Sequence, residues 1–567
     1  MTETACIRHF WKEHGVFVAY LLLSTLFLGA QMFQGLSFLD IGMYMSGYEH
    51  ILSDPHPSVF LGQWLLSFTV TAWVMHHFGA DSFIAMRVMF LVLTVVIQAT
   101  VYIFYRKLLP RRFIIAALAL TVLSLFGAYT EINYNDYTAL LFLIALLCYH
   151  RGLKSSLAYI ALSGFVTGVS FYFRITNVAF VTFPLVVWLT MRFVPWPRHR
   201  FLHQTAAFAA GWAVGMAVTY ALIVAAGYGE IIDFTLGNVI NVGGSSSDSH
   251  NLKSVFFCFY EIHKTEIAAT SVILAVAFVM WLVFRHAPKG RCDAVVRCAM
   301  LAFLFGLTVF CIYFWEQPSS ITVGLCLFGF ALCMGDSSVE PELKFVYALS
   351  LCLPLLAPAG SNAGAAFACK GTCVLSLPLA LYIFDRQRLV PFAIRQGGAG
   401  LSAYRKALRL CYFAICAAMV YTNIYRPMME DGNRLECRHT IDSPLTGPVM
   451  TTAENAATHN YLISKLTPLL PEGSYLISDG SLTAVSLLRC RPYAVFSTVF
   501  SSDTMNERYI AYALRHTNRL PYYLDDSMER NVKDEHMLHW LRRIHAYKAV
   551  WTDGRYTLWK PVPKTAP

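Results

Sequence analysis

"SFLDIGMYMSGYEHILSDPHPSVFLGQWLLSF", residues 37–68, follows directly on an apolar run starting near Val16 that is long enough to cross a bilayer. It carries Asp40, Glu49 and Asp54 and not one Lys or Arg. Cytoplasmic loops of membrane proteins collect Lys and Arg, so a loop with acids and no bases belongs on the far side. Placed there, the stretch orients every helix that follows it.

The rest of the composition agrees with a membrane chain. The 567 residues are 56% hydrophobic and only 14% charged, with a mean hydropathy of +0.51, which excludes a soluble globular protein of this length. The net charge of +10 is not a nucleic-acid signal. Its bases stand in small clusters between apolar segments, so the charge records topology. The 15 cysteines lie mostly inside apolar segments and show no ligand spacing for a metal. Cys437 and Cys490 fall in a polar region, where an oxidising compartment would let them pair. No short apolar run followed by a small-residue cleavage site opens the chain, so the first apolar run is expected to stay as a helix.

About thirteen spans of ~20 apolar residues are expected, starting near Val16, Ile84, Phe113, Tyr137, Leu157, Asn177, Ala206, Ala268, Val296, Ile321, Phe345, Val374 and Ala407. Loops with Arg106, Lys107, Arg111 and Arg112, with Arg192, Arg198 and Arg200, or with Arg386 and Arg388 alternate with loops that have almost no bases. The basic set is cytoplasmic, as is the N-terminus. Residues 57–78 are apolar enough for a further span, but that assignment would put the 106–112 cluster outside. They are read instead as a helix along the membrane surface, with Trp64, Trp73, His76 and His77 at headgroup depth.

Two regions follow. Residues 1–425 form the transmembrane domain, with 37–83 as the first outward loop and its interfacial helix. Residues 426–567 turn polar, alternate helical and strand patterns, and close "KAVWTDGRYTLWK" with an Asp-Gly hairpin turn. They read as a small extracytoplasmic α/β domain.

Ionisable residues at a membrane boundary are costly and default to functional candidates. Asp40 leads, because it sits just past the first span, where a helix end fixes it. Asp54, Glu131 and Asp136 are candidate second acids. Arg174 interrupts "FYFRITN", and with Arg87 and Lys370 it supplies outward cations. Such acids take a proton from a hydroxyl or amine, while Arg or Lys neutralises a phosphate.

An Asp after the first span, His56 with Pro57, then Phe78 with Gly79, Phe83 and Arg87 leading into the second span resembles the GT-C class of membrane glycosyltransferases. It is similar in particular to the protein O-mannosyltransferases and the lipid A aminoarabinose transferases, and to uncharacterised bacterial members of the class. The resemblance implies a polyprenyl-phosphate sugar donor, an extracytoplasmic acceptor (a glycan, lipid or protein), Asp40 as general base with inversion at the sugar, and Arg174, Arg87 and Lys370 as phosphate ligands. It implies a multi-pass protein of the inner (plasma) membrane. Those relatives carry Asp-Glu at the catalytic position. Here the pair is Asp40-Ile41, so any second carboxylate has to come from elsewhere, and a divalent metal on Asp40 has no ligand spacing to support it. The alternative class is a lipid-linked-glycan carrier or flippase, or a protein like the O-antigen polymerases and ligases, for which residues 228–265 would be the large outward loop.

Overall fold

The computed structural model describes residues 3–38, 40–125, 130–194, 198–244, 319–357, 372–386, 398–428, 431–478, 481–493, 503–527 and 541–562, together with positions 264, 268, 271 and 538. It is mainly helical. Helix α1 (Glu3–Gln31) leads into a strap, residues 32–38, and then α2 (Asp40–His50). A 3-10 segment (His56–Trp64) runs into α3 (Leu65–Phe78), and α4 (Phe83–Tyr105), α5 (Arg111–Leu123), α6 (Tyr134–Lys154) and α7 (Leu157–Phe173) follow. Next come a 3-10 segment Ile175–Thr182, α8 (Phe183–Thr190), α9 (Arg198–Ala225) and α10 (Gly229–Gly244). Helices Ser319–Gly335, Pro341–Leu356, Leu377–Arg386 and Gly398–Tyr425 complete the apolar part.

Local chemistry sets these boundaries. The Ser82 side chain accepts from Ala85 N to start α4, and Asn133 with Asp136 forms a capping box that starts α6. Gly79, at φ 59, ends α3 in the left-handed conformation. Helices α7 and α9 cross so closely that a Cβ on Gly164 would lie 2.0 Å from the Phe208 carbonyl oxygen. This is the small-residue packing that brings apolar helices together in a bilayer.

Among the described residues four helices are long and apolar enough to cross a membrane: His9–Gln31, His56–Phe78, Phe83–Tyr105 and Arg200–Ala225. The second of them is the stretch expected to lie on the membrane surface. It is 61% buried within the protein, against 17–28% for the other three, so its apolar faces are taken up by protein. Trp73 and Phe78 are exposed, whereas Trp64 packs inward. Headgroup depth was expected for Trp64 because it is aromatic; an internal stacking partner overrides that. The span expected near Val374 is a 3-10 turn, Thr372–Val374, followed by only 10 helical residues, about 15 Å of helix. The spans expected near Ala268 and Val296 lie outside the described residues.

The polar C-terminal region begins where its composition changes, after the helix that ends at Tyr425. Strands β1 (His439–Thr440) and β2 (Met450–Thr451) form a short antiparallel pair. The main sheet has the order β4-β3-β5-β7-β6, built from β3 (Tyr475–Ser478), β4 (Arg491–Pro492), β5 (Tyr522–Asp526), β6 (Tyr547–Thr552) and β7 (Tyr556–Pro561). The β3 strand is parallel to β4 and β5, and β7 runs antiparallel to β5 and β6. The Asp-Gly turn predicted between β6 and β7 is there, with Gly554 at φ 97. Cys437 and Cys490 are buried free thiols, so the disulfide raised as an option in this region does not form.

This region shares a core with the first loop. Leu36, Ile41, Tyr44 and Phe60 bury in one cluster with Ile441, Ile477, Leu482, Tyr509 and Tyr523. The contact is closest at Gly42 of α2, where a Cβ would meet the Thr483 backbone nitrogen at 2.2 Å. Backbone cannot yield as a side-chain tip can. Gly42→Ala is therefore expected to lower the unfolding temperature of the detergent-solubilised protein by several degrees, the shift that an overpacking cost of about 1–3 kcal/mol produces.

Candidate functional site

The strap between α1 and α2 is held from two sides. From the C-terminal region, Asp431 accepts from Leu36 N at 2.9 Å, from Thr451 Oγ1 at 2.7 Å and from Asn455 Nδ2 at 3.0 Å. Thr483 donates through N to the Phe38 carbonyl and through Oγ1 to the Ser37 carbonyl, both at 3.1 Å. His459 stacks on Phe38 with ring centroids 4.1 Å apart. Burial pushes the His459 imidazole down to about 4, so it is neutral at ordinary pH. Its Nδ1–H donates to the Asn455 carbonyl, and its Nε2 accepts from Ser481. From the helical side, Arg87 of α4 donates to the Met32 carbonyl at 2.5 Å, to the Gly35 carbonyl and to Glu131 at 2.7 Å. Asp40 comes next in the chain, in the first turn of α2, where the helix dipole favours a carboxylate.

Where Asp40 faces follows from helix geometry. Residues 40, 44 and 48 lie on one face of α2. Tyr48 donates to the Ile132 carbonyl at 2.9 Å, and Tyr44 meets Tyr134 edge to face at 6.0 Å. This face is turned to the 131–136 segment at the start of α6. Tyr134 is the hub. Trp64 stacks on it at 4.6 Å, and the Arg174 guanidinium lies 5.1 Å from its ring centre, a cation–π distance. Arg174 also donates to Asn135 Oδ1 at 2.9 Å.

Arg174 occupies a break in the helical path. The residue is extended (φ −160, ψ 119) between α7 and the following 3-10 segment. Asn177 closes the break by donating to the Ser170 carbonyl at 3.0 Å and to Thr138 Oγ1 at 3.1 Å. Irregular backbone at membrane depth is tolerated only with such internal partners or at a cavity. The guanidinium is thereby fixed beside the acid-bearing turn of α6.

The remaining sequence candidates sit as follows. Arg87 is 1% exposed and Glu131 2%, and each is the other's ion-pair partner. Asp136 Oδ2 accepts from Asn133 N at 2.8 Å as half of the capping box. Asp54 accepts from the Tyr475 hydroxyl at 2.7 Å and from Arg491 at 2.9 Å, tying the end of the first loop to β3 and β4. Lys370 lies outside the described residues. Arg174 and the 131–136 turn thus meet at Tyr134, Asp40 stands one helical turn before Tyr44, which packs on Tyr134, and Asp54 lies at the far end of the loop.

Several solved structures are similar to this chain. Among them are ArnT from Cupriavidus metallidurans bound to undecaprenyl phosphate (13% identity, 98% of this chain and 99% of that one, TM-score 0.44), the Archaeoglobus fulgidus oligosaccharyltransferase tethered with an acceptor peptide (14%, 99% and 75%, 0.42), and ArnT from Cupriavidus metallidurans in the apo state (11%, 97% and 98%, 0.41). No family profile and no curated protein matches the chain.

Beyond Asp40, at the other end of α2, a cleft of about 530 Å³ opens between the first loop and the C-terminal region, lined by Tyr48, Glu49, His76, Asp81, Leu445 and Arg489 among others. Arg489, at φ 53, ends a helical turn in the left-handed conformation usually left to glycine, which keeps a cation at the rim. Burial, with help from the Asp81 charge, pushes the Glu49 carboxyl up from 4.5 to about 7. The folded protein therefore holds a proton that the unfolded chain releases above 4.5. Glu49's contribution is complete below the unfolded value and is lost as pH rises through 7. A denaturation series from pH 4.5 to 8 is expected to show stability falling by on the order of 2 kcal/mol, after discounting for partial exposure. Glu49→Gln should remove that slope.

The sequence does not single out Tyr134, Asp431, His459 or Thr483, and it marks Trp64 only as an interfacial aromatic. Asp431 and His459 lie some 400 residues from the strap they hold, by the separation of 395 between Leu36 and Asp431, and no local pattern marks such a partner. Asp431→Ala is expected to cost about 2–4 kcal/mol by leaving buried donors unmatched, and to lower any activity that depends on Asp40 at least tenfold. Asp431→Asn, which keeps an acceptor oxygen, should lose less of both.

Proposed function

We propose that the protein is a membrane glycosyltransferase that moves a sugar from a polyprenyl-phosphate-linked donor to an acceptor on the extracytoplasmic side. Asp40 is the general base. Its carboxylate takes the proton from the acceptor hydroxyl or amine as that nucleophile bonds to the anomeric carbon. The bond from that carbon to the phosphate oxygen breaks on the opposite face, its electron pair leaves on the phosphate, and the configuration inverts. Arg174 faces the leaving phosphate, where a fixed guanidinium neutralises developing charge. Arg87 and Glu131 act one step back, as the pair that holds the strap. On this reading the chain spans the membrane about thirteen times with its C-terminal domain outside, and that domain fixes the position of Asp40.

The observation that carries the reading is the convergence around Tyr134. What supports it is that a fixed guanidinium and Trp64 meet at Tyr134, against which Tyr44 packs one helical turn after Asp40. The arrangement is suited to a sugar ring over aromatics with a base on one side and a cation on the other. A carrier or flippase would instead place ionisable groups on broken helices in two matching halves, and such halves are absent from the sequence.

The anomeric configuration of the product tests the displacement. A donor of known configuration, transferred by reconstituted protein and read by NMR, should give the opposite configuration; retention would rule out single displacement with Asp40 as base. Arg174→Ala is expected to lower kcat by about 10²–10³, the scale for losing one preorganised charge-stabilising group, and Arg174→Lys should recover part of it.

A further inference from the structure

Three side chains from distant parts of the chain meet in one cluster. His56 opens the 3-10 segment after the first loop. Glu230 is in the first turn of α10, and His516 is in the last turn of the helix Asp503–Thr517. One ligating atom from each lies within 4.8 Å of the others. His516 Nε2 is 2.9 Å from a Glu230 oxygen, and the two imidazoles stack in parallel at 4.1 Å. His56 Nδ1 is 2.9 Å from the Tyr512 hydroxyl, a partner that sets this ring's orientation and leaves Nε2 for another bond.

We propose that His56, Glu230 and His516 bind one divalent transition-metal ion of the zinc class. Two imidazoles and a carboxylate are a donor set for zinc, which takes them at about 2.0–2.2 Å with a water in the fourth position. Tetrahedral donors at that range stand about 3.4 Å apart. The cluster therefore has to tighten by little more than an ångström and the rings have to turn out of their stack. Glu230 and His516 are exposed side chains and have room to do so. Tyr512 supplies the outer hydrogen bond that metal-bound histidines almost always have. As a plain His–Glu contact the cluster would add little, since exposed ion pairs contribute about 0–1 kcal/mol. As a metal site it staples the first loop, α10 and the C-terminal region to one another. The proposal stands on these three side chains and is independent of the glycosyl-transfer reading.

Full-length protein in lipid nanodiscs, stripped with EDTA, is titrated with Zn²⁺ by calorimetry and with Co²⁺ by visible absorption. The wild type is expected to bind one equivalent with a tetrahedral Co²⁺ spectrum, and zinc should raise its unfolding temperature. His516→Ala and Glu230→Gln should each weaken binding by on the order of 100-fold or more and abolish the thermal shift. Tyr512→Phe, which keeps all three ligands, should weaken it by about 10-fold, the lower end of the cost of an outer partner. Glu230→Gln is nearly isosteric on an exposed turn, so it gives the same readout if His516→Ala does not fold. Failure of the wild type to take up an equivalent, or unchanged affinity in a folded Glu230→Gln or His516→Ala protein, overturns the proposal.

Discussion

Asp40→Asn is expected to reduce glycosyl transfer by about 10³-fold, within the 10²–10⁴ that a positioned general base contributes, while the KM for the lipid donor changes less than about threefold. The carboxamide keeps the size of the side chain and loses only its charge at the helix start, a matter of about 0.3–1 kcal/mol. The Asn variant should therefore fold and bind donor like the wild type. Asp40→Glu keeps a base but displaces it by a methylene, and should retain a small measurable rate. Equal losses in kcat and kcat/KM identify a group that acts in the transition state. A rise in KM alone would assign Asp40 to binding.

Arg87→Ala is expected to cost about 3–5 kcal/mol of stability, because it strands Glu131 as an uncompensated buried charge and frees the carbonyls of Met32 and Gly35. The membrane-reconstituted variant should unfold at markedly lower temperature, with the strap that leads into Asp40 open to protease. Arg87→Lys should rescue little, since an ammonium cannot reproduce the fork that reaches two carbonyls and a carboxylate at once. Arg87→Met combined with Glu131→Gln should recover most of the stability, as apolar replacement of a buried ion pair commonly does. The same series separates two roles. A clamp loses stability first, whereas a donor-phosphate ligand would raise the donor KM in a protein that remains folded.

Much of this organisation is legible in the residues. Asp40 stands out because acids without bases follow an apolar run, and Arg174 because a charge interrupts two apolar segments. Asp-Gly marks the β6–β7 turn. The order of the sheet and the grip of the C-terminal region on the strap are not legible. They depend on Asp431, His459 and Thr483 meeting Leu36, Ser37 and Phe38 across hundreds of residues, and a contact of that separation leaves no periodicity. Trp64 shows the same limit in one residue. Its aromatic, interfacial character suggests a headgroup, and only the fold supplies Tyr134 as a stacking partner. Arg87 reads as an outward cation until the strap carbonyls and Glu131 are seen to surround it.

The most direct measurement is turnover of a panel of radiolabelled polyprenyl-phosphate sugars by wild-type protein reconstituted in bilayers, with Asp40→Asn alongside. The wild type is expected to consume at least one donor and to label an acceptor or release sugar, and Asp40→Asn to bind the same donor without turning it over. Donor binding without turnover by either protein would contradict glycosyl transfer and assign the chain to carriage of lipid-linked sugars instead.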